Sequence, residues 1–475
     1  MTVPLSDIWR CFQGVIPSII ATADRNGVPN VTYLSQVHLV DDRHVALSRQ
    51  FFNKTSRNLD ENPAAAAEVM DPVTFQAYRL RLRFLRSERS GPLFQTMAMR
   101  IDAIASHTGM TGIFRLIAAD VFEVLAAEPV EGFLAEPPAD VSAAVSLDGA
   151  RTELRGLSWV SQRINRATDL DSLLSSVLQA LEEYFGFSHS AVLLYDEARQ
   201  RLTTIASRGF GPTGIGAEVA VGDGLIGTVA RERRVLRLPS LEADLRYGRA
   251  VRRESAGGHG LLQAEIPLPG LPDAQSVLAI PLTIGAQLVG VITAEDRDPM
   301  RFSEWDETYL TVIANQIALG IDRMIARDEA AEGAVSEAES ESAAPEPGPE
   351  PPPPARSDPR ARVEGRASRP PRRLTFYKGD EAIFIDDEYL IRNVPAKILW
   401  KVLGESQRTG RTEFSNRELR LDASLGLPAV KDNLESRLIL LRHRLEEKCP
   451  DLQIVPTGRG RFALRSDAPL ELVER

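Results

Sequence analysis

Apolar positions near the C-terminal end fall at helical spacing: Val430, Leu434, Leu438, Leu441 and Leu445 recur every three or four residues between positions 428 and 448. One face of that helix is thereby committed to a core, and the other carries Lys431, Asn433, Arg437, Arg442 and Arg444. Past Cys449-Pro450 the period changes. Residues 452–455 and 462–464 read as short strands joined by the glycine-permitted turn Thr457-Gly458-Arg459-Gly460-Arg461. Upstream, 384–391 reads as a hairpin with an acidic turn, and 395–403 as a helix burying Ile398, Leu399 and Val402. Ser415 stands three residues before Glu418, the spacing of a capping box, so a short helix starts there.

The first third alternates differently. A β-rich run at 15–22, the hairpin turn Asp24-Arg25-Asn26-Gly27, a continuing strand at 28–39 and another at 44–48 precede a short helix beginning near Lys54. Asn62-Pro63 ends that helix and 64–70 returns as a strand, which together predict a small closed or split β-barrel. In the middle, 141–165 is helical with a partial heptad and 171–185 is an amphipathic helix. Strands follow at 191–195 and 202–207, then a glycine turn opening a helix at 222–230, and a hairpin at 277–284 and 287–294. A closing helix at 303–324 places Leu310, Ile313, Ile317, Ile321 and Met324 on one stripe, part expected against the sheet and the rest against a second chain. Between these, 236–272 is rich in Gly, Pro and Arg, and reads equally as a lid or a disordered loop.

From 327 to 373 the chain loses large apolar side chains, passing through Ser/Glu, Pro/Glu and Arg-rich stretches. Such a segment buries too little surface to order itself, and prolines keep it extended at about 3.1 Å per residue. A rigid lever across it is not expected.

Length and charge narrow the reading. The 475 residues are enough for about three domains. A net charge of −10 argues against a protein that coats nucleic acid over its whole surface, while 407–465 is locally basic, as a confined duplex contact requires. Cys11 and Cys449 are too few and too far apart in sequence for a disulfide framework or a zinc site. There is no signal-like N-terminus and no run of eighteen apolar residues, so a soluble, cytoplasmic protein without membrane contact is expected.

Three resemblances attach to these segments. Residues 374–464, with their Phe-Ser-x-Arg-Glu-Leu, the helix ending Leu-Arg-His-Arg-Leu and the glycine-containing wing, resemble the winged-helix output domain of bacterial two-component response regulators. The resemblance implies that the long helix enters the major groove of double-stranded DNA and that the wing lies on the adjacent backbone or minor groove. Arg437, Arg442, Arg444, Arg459 and Arg461 take those roles by position, with Lys431 and Asn433 on the same basic face. Leu440 and Thr457 stand where that family usually has basic residues, which leaves the operator unread.

The run Val45-Ala46-Leu47-Ser48 … Asn53-Lys54-Thr55-Ser56-Arg57-Asn58-Leu59 resembles the pyridoxamine-phosphate-oxidase-like flavin-binding split barrel, over about 4–125. It implies an FMN phosphate at Lys54 and Thr55, with Ser48, Arg49 and Gln50 near the ring and ribityl chain, and a homodimer sharing the cofactor. Flavin binding and a barrel that has lost its cofactor both stay open. His38, His44 and His107 are candidate haem ligands, but lone histidines in a β-rich domain are more commonly core or surface residues. No acid–base pair or nucleophile stands at useful spacing, so neither catalytic nor metal-ligating residues are assigned.

Gly-x-Gly-Leu-Ile-Gly-x-Val-Ala at 222–230, the Ile-Pro-Leu … Leu-Val-Gly-Val-Ile hairpin and Phe-Ser-x-x-Asp at 302–306 resemble a GAF sensory domain, whose relatives bind small molecules between sheet and helices. The expected architecture is multidomain α+β: a split β-barrel at 1–130, a GAF α/β/α sandwich with flanking helices at 141–326, a disordered linker at 327–373, and a winged helix-turn-helix at 374–466. With no receiver domain before the winged helix, the expectation is a one-component transcriptional regulator. The alternative is a flavin-dependent oxidase or reductase with an appended DNA-binding tail.

Overall fold

The computed structural model describes residues 2–34, 36–50, 54–130, 147–167, 169–210, 214–255, 264–266, 270–341, 371–425, 434–458 and 460–475. The chain forms two compact units, one of Met1–Ala167 with Ser172–Leu319, the other of Thr168–Asp171 with Gly320–Arg475.

The first unit begins with a 3-10 segment, Leu5–Phe12, and an antiparallel sheet of seven strands: β1 (Ser18–Ala23), β2 (Pro29–Leu34), β3 (Val37–Asp41), β4 (His44–Arg49), β5 (Ala64–Met70), β6 (Ala77–Glu88) and β7 (Ala118–Pro129). Helix α1 (Lys54–Glu61) joins β4 to β5, and α2 (Pro92–His107) joins β6 to β7. The sheet order is β2-β1-β5-β6-β7-β4-β3. Ile20, Val37, Val45, Leu80, Leu82 and Phe122 share one core, so strands from across the sheet close on the same interior. The single strand expected at 28–39 is two strands at opposite edges of the sheet. A run of β-formers carries no mark of where the chain leaves one edge, and here β2 keeps Val31 and Tyr33 exposed while Val37 of β3 enters the core.

The chain continues with α3 (Leu147–Arg166), α4 (Leu170–Phe185), β8 (His189–Asp196), β9 (Arg201–Arg208), β10 (Glu218–Ala220), α5 (Gly224–Glu232), β11 (Leu236–Leu238), α6 (Leu241–Ser255), β12 (Ser276–Ile284), β13 (Gln287–Asp296) and α7 (Glu304–Glu341), whose residues from Gly320 onward belong to the second unit. The six strands run β10-β9-β8-β13-β12-β11, both faces covered. The glycine motif is framework: Gly222 and Gly224 have positive φ, and a Cβ on Gly227 would lie 2.3 Å from the Ala220 carbonyl. All five residues of the α7 stripe are buried, so the exposed apolar line on that helix is Trp305, Val312 and Leu319.

Two expectations change here. The Gly/Pro/Arg-rich 236–272 contains β11 and α6, because Glu242 and Asp244 at the start of α6 and Arg252 and Arg253 at its end complement the helix dipole. Residues 256–263 and 267–269 lie outside the described residues. The linker expected from 327 begins as helix: α7 runs on to Glu341 through an Ala/Glu-rich stretch of high helix propensity. The remainder, 342–370, is outside the described residues.

The second unit carries two sheets. β14 (Arg372–Tyr377), β15 (Ala382–Ile385), β16 (Glu388–Arg392) and β20 (Leu470–Glu474) form one, in the order β16-β15-β14-β20. α8 (Val394–Thr409), α9 (Asn416–Leu421) and α10 (Leu434–Lys448) follow β16, with β17 (Glu413–Ser415) between α8 and α9. β17, β18 (Leu452–Gly458) and β19 (Arg461–Ser466) make the second sheet, in the order β17-β19-β18. Ser415 and Glu418 form the expected capping box. The parallel pairing of β20 with β14 extends this unit past 466; its partner lies almost a hundred residues upstream and no local pattern announces it.

Candidate functional site

The residues assigned to a flavin divide into three environments. Lys54 is exposed at the start of α1 with Nζ 3.4 Å from the Pro29 carbonyl oxygen, and Thr55 Oγ1 accepts a hydrogen bond from Asn30 Nδ2 at 2.9 Å. A helix start with an amine and a hydroxyl suits a phosphate. Arg49 points elsewhere: its Nε and NH2 donate to both oxygens of Asp120, at 2.8 and 2.9 Å, and NH2 also to Ser87 Oγ. With both side chains under a tenth exposed, that arginine is a structural partner of Asp120 and is not free for a cofactor. Ser48 and Gln50 face a third neighbour. Gln50 Nε2 donates to Ser48 Oγ, and Gln50 Oε1 accepts from the Tyr247 hydroxyl of α6 at 2.8 Å. Lys54 and Thr55 thus stand together at one helix start, whereas Ser48 and Gln50 are engaged beside α6.

That contact belongs to a seam between the N-terminal sheet and the six-stranded domain, built around α2, which sequence reading missed. Met97, Ile101 and Ile104 of α2 belong to one hydrophobic cluster with Leu225, Ile226 and Val229 of α5. Ser106 Oγ donates to the Gly222 carbonyl (2.7 Å) and accepts from the Gly224 N–H (2.8 Å), so the glycine turn is tied to α2. Arg100 grips Asp244 of α6 through Nε and NH2, with NH2 to Oδ1 at 2.8 Å, and reaches Gln36 Oε1 and the Gln13 carbonyl through NH1. Burial pushes the Asp244 carboxyl up and the guanidinium pulls it back. His38 lies in the same polar zone, where burial first, then Arg100 and Arg237, push its imidazole down to about 4. A small cleft enclosing about 30 Å³ lies between Gln36, Ser48, Gln50, Arg100 and Tyr247.

A second pocket, enclosing about 10 Å³ or room for about a single water, lies inside the six-stranded domain. Strand period and register put Glu295 and Thr293 of β13, Leu193 of β8 and Thr204 of β9 on one face, with Phe210 and Ile226 completing the wall. Glu295 is 2% exposed, its Oε2 accepts from the Leu271 N–H at 2.6 Å, and burial pushes its carboxyl up to about 7 against that hydrogen bond. Its position in an alternating strand was the signal available in the sequence: a carboxylate where the period demands an inward residue.

In the second unit, Lys431, Asn433 and Arg459 lie outside the described residues. Leu434, Leu438, Leu441 and Leu445 are buried as the spacing required, and Ser436, Ile439 and Leu440 are buried as well, so α10 is covered over a wider arc than one stripe. Arg437, Arg442 and Arg444 are half-buried, Arg444 pairing with Glu447 at 2.9 Å. Arg461 is exposed beside the β18–β19 turn, where Gly460 has positive φ. These arginines occupy one helix and one hairpin of the same unit. Among the described residues there is no His/Cys/Asp/Glu group fit to hold a metal and no helix long and apolar enough to cross a membrane.

A family model for the GAF domain matches residues 167–322. Solved structures similar to parts of the chain include the GAF domain of an Acinetobacter phosphoenolpyruvate-protein phosphotransferase, 20% identical over 37% of this chain and 97% of that one, at a TM-score of 0.30. The corresponding domain from Coxiella burnetii is 21% identical over 38% and 97%, at 0.31. An FMN-binding protein from Syntrophomonas wolfei is 22% identical over 26% and 85%, at 0.22. No curated protein matches the chain.

Proposed function

With a GAF domain at its centre, which gives the chain a sensory role, we propose that this protein is a one-component transcriptional regulator. Small-molecule or redox input enters through the GAF domain and the N-terminal sheet, and output is duplex binding by the second unit. The observation that carries the output is the arrangement of that unit: a capped α9, then α10 with Arg437, Arg442 and Arg444, then a hairpin with Arg461 at its tip. A helix sized for the major groove followed by a basic hairpin for the backbone is the winged-helix mode of reading DNA.

On the input side, Lys54 and Thr55 would hold a flavin phosphate, and FMN bound there would supply redox sensitivity. Exposed Val31 and Tyr33 on edge strand β2 favour pairing of two chains. The rival reading, a flavin oxidase or reductase with a DNA-binding tail, needs a ring site open to substrate, and the Tyr247–Gln50 hydrogen bond stands there.

The full-length protein, selected against a random-sequence duplex pool, should enrich a defined site. Arg437→Ala should relax the base preference by about 1–3 kcal/mol at one position. Arg461→Ala should weaken all duplexes alike and lower the salt slope by about one. No affinity for any duplex at low salt would end this reading.

A further inference from the structure

Helix α10 is covered on both of its sides. At about 100° per residue, Leu434, Leu438, Leu441 and Leu445 share the stripe committed to the core, while Ser436, Ile439, Leu440 and His443 centre about half a turn away. A helix that reads a duplex keeps that second side for the groove. Here Ser436, Ile439 and Leu440 are 7%, 1% and 8% exposed. Two polar contacts leave this side of α10 for the start of α4, which belongs to the same unit. Glu435 Oε1 accepts a hydrogen bond from the Leu170 N–H at 3.2 Å, and His443 Nε2 stands 3.8 Å from Asp171 Oδ1. Leu170 is the first residue of α4, so its N–H has no acceptor inside its own helix, and the Glu435 carboxylate serves as a cap supplied by another helix. Ile439 and Leu440, apolar on a side where a polyanion would be met by basic residues, suit a side turned to protein.

Resting on the duplex-binding reading given above, we propose that this contact is autoinhibitory: the first turn of α4 occupies the outward side of α10, and a duplex is read only when Glu435 and His443 release Leu170 and Asp171. The major groove is about 12 Å wide and an α-helix with its side chains is about 10–12 Å across, so groove and α4 compete for one side of α10. A carboxylate on a helix N-terminus is a modest, salt-screened attraction, which leaves the closed state within reach of a displacement of α4. The chain passes from Asp171 directly into Ser172 of the first unit, so such a displacement reaches the contact along the backbone of α4.

The test uses the full-length chain. In the double variant Asp171→Cys with His443→Cys, a short bismaleimide should join the two introduced thiols, Cys11 and Cys449 being buried. The joined chain should bind a random-sequence duplex pool at least about tenfold more weakly than the same chain before joining. Glu435→Gln should raise duplex affinity about threefold or more by depopulating the closed state. Glu446→Gln, the same loss of charge at an exposed position of α10, should change it less than about twofold. The proposal is overturned if the thiols do not join, if the joined chain binds duplex like the open one, or if Glu435→Gln and Glu446→Gln act alike. If the thiols join but neither form of the chain nor Glu435→Gln binds any duplex, the closed contact exists, the duplex-binding reading has failed, and the inhibitory role falls with it.

Discussion

Asp244 and Glu295 are acidic residues of the same unit, the first part-buried and the second fully enclosed, and they differ in what faces them. Asp244 meets the Arg100 guanidinium across the seam, with every oxygen engaged. Among the described residues Glu295 meets a single hydrogen-bond donor, the Leu271 N–H, in a largely apolar pocket. The first carboxylate is therefore a fixed structural tie between α6 and α2, and the second is a carboxyl whose burial favours its protonated form. Burial alone does not decide the protonation state of a carboxyl; the identity of the partner does as well.

Substitutions probe that contrast in descending order of effect. Arg100→Ala should cost about 3–5 kcal/mol in chemical denaturation, because it strands Asp244 in the seam. Replacing both Arg100 and Asp244 with alanine should cost less than the sum of the two single changes. A full additive loss would mean that the pair is not coupled.

Glu295→Gln should act in the opposite sense. Its carboxyl moves from 4.5 to about 7 on folding, so the folded chain holds the proton more tightly in that window. Stability contributed by the group is present below pH 4.5 and is lost as pH rises through 7. The glutamine variant should thus be more stable by about 3 kcal/mol above that window and equal to the unaltered chain at acid pH, read from denaturation midpoints. Equal stability at all pH values would show that the carboxylate has a partner after all.

Tyr247→Phe removes the donor to Gln50 and should cost about 1 kcal/mol without moving the Arg100–Asp244 pair, as a denaturation curve would show. Smallest of all, Arg79→Ala on the solvated face of β6, whose Glu68 contact is 3.9 Å and mostly exposed, should stay within about 0.5 kcal/mol. A larger effect there would show that the surface arginines of β6 carry more than solvation.

Much of the fold could be read along the chain. The helical spacing from Leu434 to Leu445, the Ser415–Glu418 cap and the glycine turn at 222–227 all reappear in three dimensions, because each is a local rule with a local cause. The functional chemistry was harder. Arg49 sits in a basic and polar run that suits a cofactor, yet it is consumed by Asp120, seventy-one positions away in sequence. Arg100 and Asp244 are separated by 144 positions, and α2 and α6 were not distinguished from loops. Nothing local marks two residues that will meet across a seam.

Period, capping and turn chemistry in the amino-acid order were enough to fix several helices and strands, α4, α5, α10 and the β12–β13 pair among them, and which of their faces turn inward, since these preferences act within a few residues. Which carboxylate acquires a guanidinium and which is left in an apolar pocket depends on how distant elements pack. That outcome was set by the docking of α2 against α5 and α6, because electrostatic partnership in a buried site is a matter of a few ångströms in space and not of distance along the chain.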